Sequence, residues 1–197
     1  MSTLITTTAQ IGTIKDAGGN ATSMTIDSSG VITHAAGFNN YAAANFTAGS
    51  TTLNPTLTAI PSWANIITCS FFDLSGGQAD VGHRVAVGGS VITTGYEYSS
   101  SYYQNGQAVT LNDRSSSGDN GFRFYGFTAS NNNFNGTVVY TKVSDHKYVV
   151  TGNHYNHQYT NYRVVFDGRI SLSGPISGIS LLHSANFDAG SVRVIWS

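Results

Sequence analysis

The sequence predicts an all-β protein: an antiparallel β-sandwich, jelly-roll-like in connectivity, preceded by an extended N-terminal arm. Three observations carry this expectation. The first is composition. Of 197 residues, Gly, Ser, Thr and Asn make up about 43% and charged residues 10%, with one glutamate, Glu97, and three lysines, Lys15, Lys142 and Lys147. Soluble domains ordinarily carry ~25% charged residues. Leu, Glu and Lys, which fill helices, are scarce, whereas Thr, Val, Ile, Tyr and Phe suit strands. The second observation is a period-two alternation of apolar and polar residues, interrupted by Gly, Asn and Ser. The third is a contrast between residues 1–55 and 56–197, which are expected to form the arm and the sandwich.

In the arm, Ala21–Ile26 alternates as a short strand. Asp27-Ser-Ser-Gly30 has the Asp-first, Gly-last pattern of a turn, and Val31-Ile32-Thr33 resumes an extended run. Lys15-Asp-Ala-Gly-Gly-Asn20 is a second turn cluster. No aromatic residue precedes Phe38, and the charges are Lys15, Asp16 and Asp27. The apolar side chains available for assembly are Leu4, Ile5, Ile11, Ile14, Met24, Ile26, Val31 and Ile32. So little apolar surface buries poorly against itself, and the arm is expected to be held by neighbouring copies or by a larger assembly.

From about Leu57 the pattern is regular. Ser62–Asn65, after Pro61, is the best single helical turn. Ile66–Leu74 reads as a continuous apolar strand. Val81, His83, Val85 and Val87 alternate with small or polar partners, and Val91–Tyr98 follows Gly88-Gly89. Gln107–Asn112 is short. Phe122 and Phe124 share a face, as do Val138 and Tyr140. Lys147–Thr151 comes next. Tyr162, Val164 and Phe166 then alternate with Arg163, Val165 and Asp167. Ile170–Leu172, Ile179–Leu181 and Val192–Trp196 close the series at roughly ten strands, the pattern of a sandwich rather than of βαβ units.

Tyr98–Gln107 and Asn153–Asn161 read as long exposed loops rich in Tyr, Asn, Ser and His. Tyr offers a large rigid surface with a hydroxyl, and Asn and Ser offer adaptable hydrogen bonds. The candidate contact residues are Tyr98, Tyr102, Tyr103, Asn105, His154, Tyr155, His157 and Tyr159. His154 and His157, three apart, would face opposite sides of a strand. Without a third ligand at an obvious spacing they are expected to be surface histidines rather than a metal site.

Several chemistries have no support in the sequence. There is no Gly-x-Ser-x-Gly elbow, no Cys-His framework, no phosphate loop, no dinucleotide fingerprint and no calcium loop. Asp27, Asp73, Asp113, Asp119, Asp145, Asp167 and Asp188 sit in or beside turn-forming clusters, where Asp serves the backbone, so a catalytic carboxylate pair is not expected. No enzyme activity and no cofactor is expected. A net charge of −1 provides no basic field for nucleic acid. No apolar run approaches the ~20 residues of a membrane span. Met1-Ser-Thr-Leu-Ile-Thr-Thr-Thr has neither a positive nor an apolar leader region, so a secretory signal is not expected. Cys69, in an apolar run, is expected to be a small buried residue.

Certain runs carry a resemblance. Gly12-Thr-Ile-Lys-Asp-Ala-Gly-Gly-Asn20, followed by Met24-Thr-Ile-Asp-Ser-Ser-Gly30-Val-Ile, resembles the N-terminal segment of tail-fibre and other virion proteins of tailed phages, especially those infecting cyanobacteria. Ile60-Pro-Ser-Trp-Ala64, Thr93-Thr-Gly-Tyr96, Phe134-Asn-Gly-Thr-Val-Val139, Tyr148-Val-Val and Phe187-Asp-Ala-Gly-Ser-Val192-Arg-Val-Ile-Trp196 follow in the same order. The resemblance implies a β-sandwich on a short arm, often trimeric, with no catalytic residues. Many fibre proteins are longer and have repetitive shafts that this chain lacks. The expectation is a virion protein made in the host cytoplasm. It would trimerise or dock to other virion proteins through its arm and present its sandwich to host-surface glycan. The alternative is a capsid decoration protein that stabilises the head shell.

Overall fold

The computed structural model describes residues 13–15, 22–26, 32–34, 41–45, 50–76, 81–103, 110–114, 120–124, 133–156 and 162–197. The chain divides into two units, Met1–Asn40 and Tyr41–Ser197. In the first, β1 (Thr13–Lys15), β2 (Thr22–Ile26) and β3 (Ile32–His34) form an antiparallel sheet in sequence order. Ile14 stands opposite Met24, and Ile26 opposite Ile32. These four expected assembly residues are therefore paired within the unit. Leu4, Ile5, Ile11 and Val31 lie outside the described residues.

The second unit begins earlier than the sequence suggested. β4 (Tyr41–Asn45) and β5 (Ser50–Thr56), which fall within the stretch expected to be arm, both pair with a strand of the main sheet. The other strands are β6 (Ile66–Gly76), β7 (Val81–Val87), β8 (Ser90–Val91), β9 (Tyr96–Tyr103), β10 (Thr110–Arg114), β11 (Phe122–Phe124), β12 (Phe134–Ser144), β13 (Lys147–Asn156), β14 (Tyr162–Ser171) and β15 (Ile176–Trp196). They form one twelve-stranded antiparallel sheet, in the order β10-β9-β14-β13-β12-β6-β15-β7-β11 with β4, β5 and β8 attached. No helix occurs among the described residues. The expected helical turn is a hydrogen-bonded turn, in which the Ala64 amide donates to the Pro61 carbonyl at 3.1 Å.

The sheet curls because β15 belongs to two parts of it. Its first half, Ile176–His183, lies between β5 and β7, and its second half, Phe187–Trp196, lies between β4 and β6. Register shifts between Leu182 and Phe187, and between Phe187 and Ser191, mark the change; extra residues in one strand bend it and increase its twist. The expected separate strands Ile179–Leu181 and Val192–Trp196 are thus one strand of 21 residues. The β7–β11 end folds over the inner face of β9, β14, β13 and β12. Phe122 of β11 meets Tyr96, Tyr98, Tyr140 and Phe166 of the facing strands at centroid distances of 4.8–6.2 Å.

The core between these faces is aromatic, so its hydroxyls need partners. Tyr96 Oη accepts from the Val85 amide at 3.0 Å and donates to the Ile92 carbonyl at 2.8 Å. Tyr148 Oη accepts from the Ile176 amide at 3.2 Å. Val138, Tyr140, Val164, Phe166, Ile179, Leu181, Val192, Val194 and Trp196 are all buried, as their alternation predicts. Cys69 is buried, and desolvation pushes its thiol up to about 12. β6 departs from the expected continuous apolar strand. Ile67, Cys69 and Phe71 face in, whereas Ile66 and Phe72 are exposed, Phe72 at 65%.

Candidate contact surface

β9, β14, β13 and β12 lie side by side, and each alternates between the core and the outer face of the curled sheet. Register alone decides which outward residues meet. On β13, Tyr148, Val150, Gly152 and His154 point in, so Val149, Thr151, Asn153 and Tyr155 point out. On β14, Val164, Phe166 and Ile170 are buried, and Arg163, Asp167 and Arg169 are exposed. Tyr155 stands opposite Arg163, and Arg163 stands opposite Tyr103 of β9. Tyr155 and Tyr103 are 43% and 46% exposed. Adjacent strands are spaced about 4.8 Å, so the row Tyr155–Arg163–Tyr103 presents two aromatic rings and one guanidinium across about 10 Å of sheet.

The row continues through Asn135 of β12, which stands opposite Tyr155. Asn135 Oδ1 accepts from the Asp73 amide at 3.0 Å, and its Nδ2 donates to Asp73 Oδ1 at 3.4 Å. Asp73 has a φ of 48°, in the left-handed region that Asp enters more readily than most residues. Elsewhere on the face Arg169 is paired with Glu97 at 2.6 Å, and both are exposed. Arg163 has no carboxylate partner among the described residues.

Other expected contact residues are placed differently. Tyr98, 4% exposed, packs on Phe122 in the core. His154, 1% exposed, is a core residue rather than a surface histidine. Both belong to strands, because β9 runs to Tyr103 and β13 to Asn156, where loops were expected. Tyr102 lies in β9 opposite Val164 and Thr110. Asn105, His157 and Tyr159 lie outside the described residues. Of the turn aspartates, Asp73, Asp113, Asp167 and Asp188 lie in strands instead.

His154 meets His83 across the core, with ring centroids 6.2 Å apart and Phe71 within 5.6 Å of each. Burial pushes His83 down to about 3, and burial together with His83 holds His154 well below its usual range. Both rings are neutral near pH 7 and belong to the packed interior. Among the described residues no three His, Cys, Asp or Glu side chains are grouped as metal ligands, and no helix is long and apolar enough to cross a membrane.

Tyr103 and Tyr155 stand out in the sequence as residue types, whereas Arg163 does not. The available signal was the alternation of β14, which sets Arg163 on the face opposite Val164 and Phe166. Comparison with protein-family models, curated proteins and solved structures finds no match to this chain.

Proposed function

We propose that this chain is a virion structural protein of the tail-fibre type that attaches to host-surface glycan through the outer face of β9, β14 and β13. The observation that carries the attachment role is the row Tyr155–Arg163–Tyr103, in which strand register brings two exposed tyrosines, distant in sequence, to the two sides of one cation. Flat aromatic faces stack on sugar rings, and flanking polar groups fix their orientation. The resemblance of the Gly12–Asn20 and Met24–Ile32 runs to tail-fibre proteins supplies the setting. In this reading the Met1–Asn40 unit is the assembly arm, acting in a homotrimer or docking to other virion proteins. The curled sheet is then a jelly-roll-like sandwich presented outward, and the protein is adhesive rather than catalytic.

A second reading, capsid decoration, draws on another part of the same face. Ile66, Ile195 and Phe72 are exposed there, and side chains of this kind suit a dry contact with a protein shell. Two experiments separate the readings. Tyr103→Ala with Tyr155→Ala should weaken adsorption of virions to host cells if the row attaches. Virions lacking a decoration protein should instead lose resistance to heat and osmotic shock while adsorbing normally. Unchanged adsorption by the double variant overturns the attachment reading.

A further inference from the structure

We infer that the saccharide bound by the Tyr155–Arg163–Tyr103 row is acidic, and that Arg163 receives its anionic group. The inference rests on the attachment reading above and concerns the chemistry of the same site. Three observations carry it. Arg163 is exposed and stands between two exposed tyrosines as the direct cross-strand partner of each. Arg169, the other described arginine on the outer face of β14, is held by Glu97 at 2.6 Å, whereas Arg163 has no carboxylate partner among the described residues. In addition, the carboxylate of Asp73 is bonded to Asn135 at the far end of the row, three strands from Arg163. The row is therefore polarised, acidic at β6 and basic between β13 and β9.

A guanidinium matches a carboxylate or sulfate with two parallel N–H donors. Tyrosine faces on both sides accept the apolar faces of sugar rings and shield the ion pair from water, which strengthens it. A neutral sugar would use the tyrosines but leave the cation without a counter-group. The occupant that uses all three side chains is a uronic-acid or sulfated polysaccharide, laid across the strands with its anionic group over β14. The carboxylate of Asp73 repels an acid placed toward β6, so the row also fixes the direction in which the acidic ring lies.

The test measures binding of the full chain to polygalacturonate, dextran sulfate and neutral dextran by calorimetry at low and high salt. Polygalacturonate or dextran sulfate should bind more tightly than dextran, and their binding should weaken as salt rises. Which of the two anionic polymers binds better distinguishes a carboxylate from a sulfate. Arg163→Gln should lower affinity for the anionic polymer about tenfold, a larger loss than it causes for dextran. Arg163→Lys should retain part of the affinity, and Arg169→Gln should have little effect. Equal affinity for dextran and the acidic polymers, or an Arg163→Gln variant that binds like the wild type, overturns the inference. If Tyr103→Ala and Tyr155→Ala still reduce adsorption to cells in that case, the attachment reading survives without the acid preference. If those variants also adsorb normally, both fail.

Discussion

Gly152 and Phe166 stand directly opposite one another on β13 and β14, and the Phe166 ring fills the space that a side chain at 152 would occupy. The pattern recurs along the inner face. Gly136 lies beneath Phe71, and Gly168 beneath Phe122 and Tyr98. Glycine here serves close approach: without a Cβ the strand lets a ring lie flat on its backbone, which suits a sheet that must curl tightly over a large aromatic core. Gly152→Ala forces the buried ring out of place and should cost about 1–3 kcal/mol. The outward neighbour Thr151→Ala should change stability by less than about 0.5 kcal/mol. Urea midpoints of the two variants check this; equal midpoints would remove the steric explanation.

The His83–His154 pair makes stability depend on pH. An unfolded chain takes up a proton at each ring near the ordinary value of 6.5, whereas folded His83 does so only at about 3 and His154 also stays well below that value. In that window the unfolded state binds more protons, so stability is intact above about 6.5 and is lost as pH falls. Two such rings contribute a slope of about 3 kcal/mol per pH unit. Chemical denaturation at pH 7 and pH 5 should show a large fall in midpoint, reduced by about half in His154→Phe. Identical midpoints would mean that the rings protonate in place.

Two buried tyrosines should respond in opposite directions to loss of their hydroxyls. Tyr96→Phe strands the Val85 amide and the Ile92 carbonyl that its oxygen bridges and should cost about 1–3 kcal/mol. Tyr140 Oη is buried and has no hydrogen-bond partner among the described residues. Tyr140→Phe removes a desolvated polar atom and should leave stability unchanged or raise it. Thermal unfolding of both variants decides the matter; a large loss in Tyr140→Phe would reveal a partner for its hydroxyl.

Replacing Tyr98 should not mimic replacing Tyr103. Tyr98→Ala opens a cavity beside Phe122 and should cost about 3–5 kcal/mol, seen as unfolding. Tyr103→Ala removes a half-exposed ring and should alter attachment with a normal melting curve. A stable Tyr98→Ala variant with impaired adsorption would return Tyr98 to the contact surface.

Cys69 reports on opening of the core. Its thiol is buried and pushed up to about 12, so thiolate is scarce and out of reach. Labelling by a thiol reagent should be negligible in the native protein and rapid in denaturant, and rapid native labelling would contradict the packing of β6.

The core strands were legible in the sequence because burial on one face leaves a period of two. Val164 and Phe166, or Val192, Val194 and Trp196, announce themselves in that way. Tyr98 and His154 did not, because Tyr, Ser, Asn and His in succession have the composition of a contact loop. What buries them is a neighbour distant in sequence: Phe122 against Tyr98, and Phe71 and His83 against His154. The contact row was half legible. Tyr103 and Tyr155 stood out as residue types, but Arg163 joins them only through the registers of β9 with β14 and of β14 with β13, which no local pattern encodes. The start of the sheet was misplaced for a related reason. The small residues of β4 and β5 give almost no apolar signal, and β15 supplies the pairing that makes them strands.

The position of β15 in the chain also sets an order of events. Every strand that flanks it, β4, β5, β6 and β7, is synthesised first and waits for it. Until Ile176–Trp196 has left the ribosome, β6 and β7 each lack a neighbour and the two halves of the sheet have no strand in common. Such sheets depend on pairings between residues far apart in sequence, which form slowly and leave open strand edges in the meantime. For this chain the hazardous interval lies before β15 docks. A nascent chain stalled ahead of Ile176 is the species most in need of a chaperone.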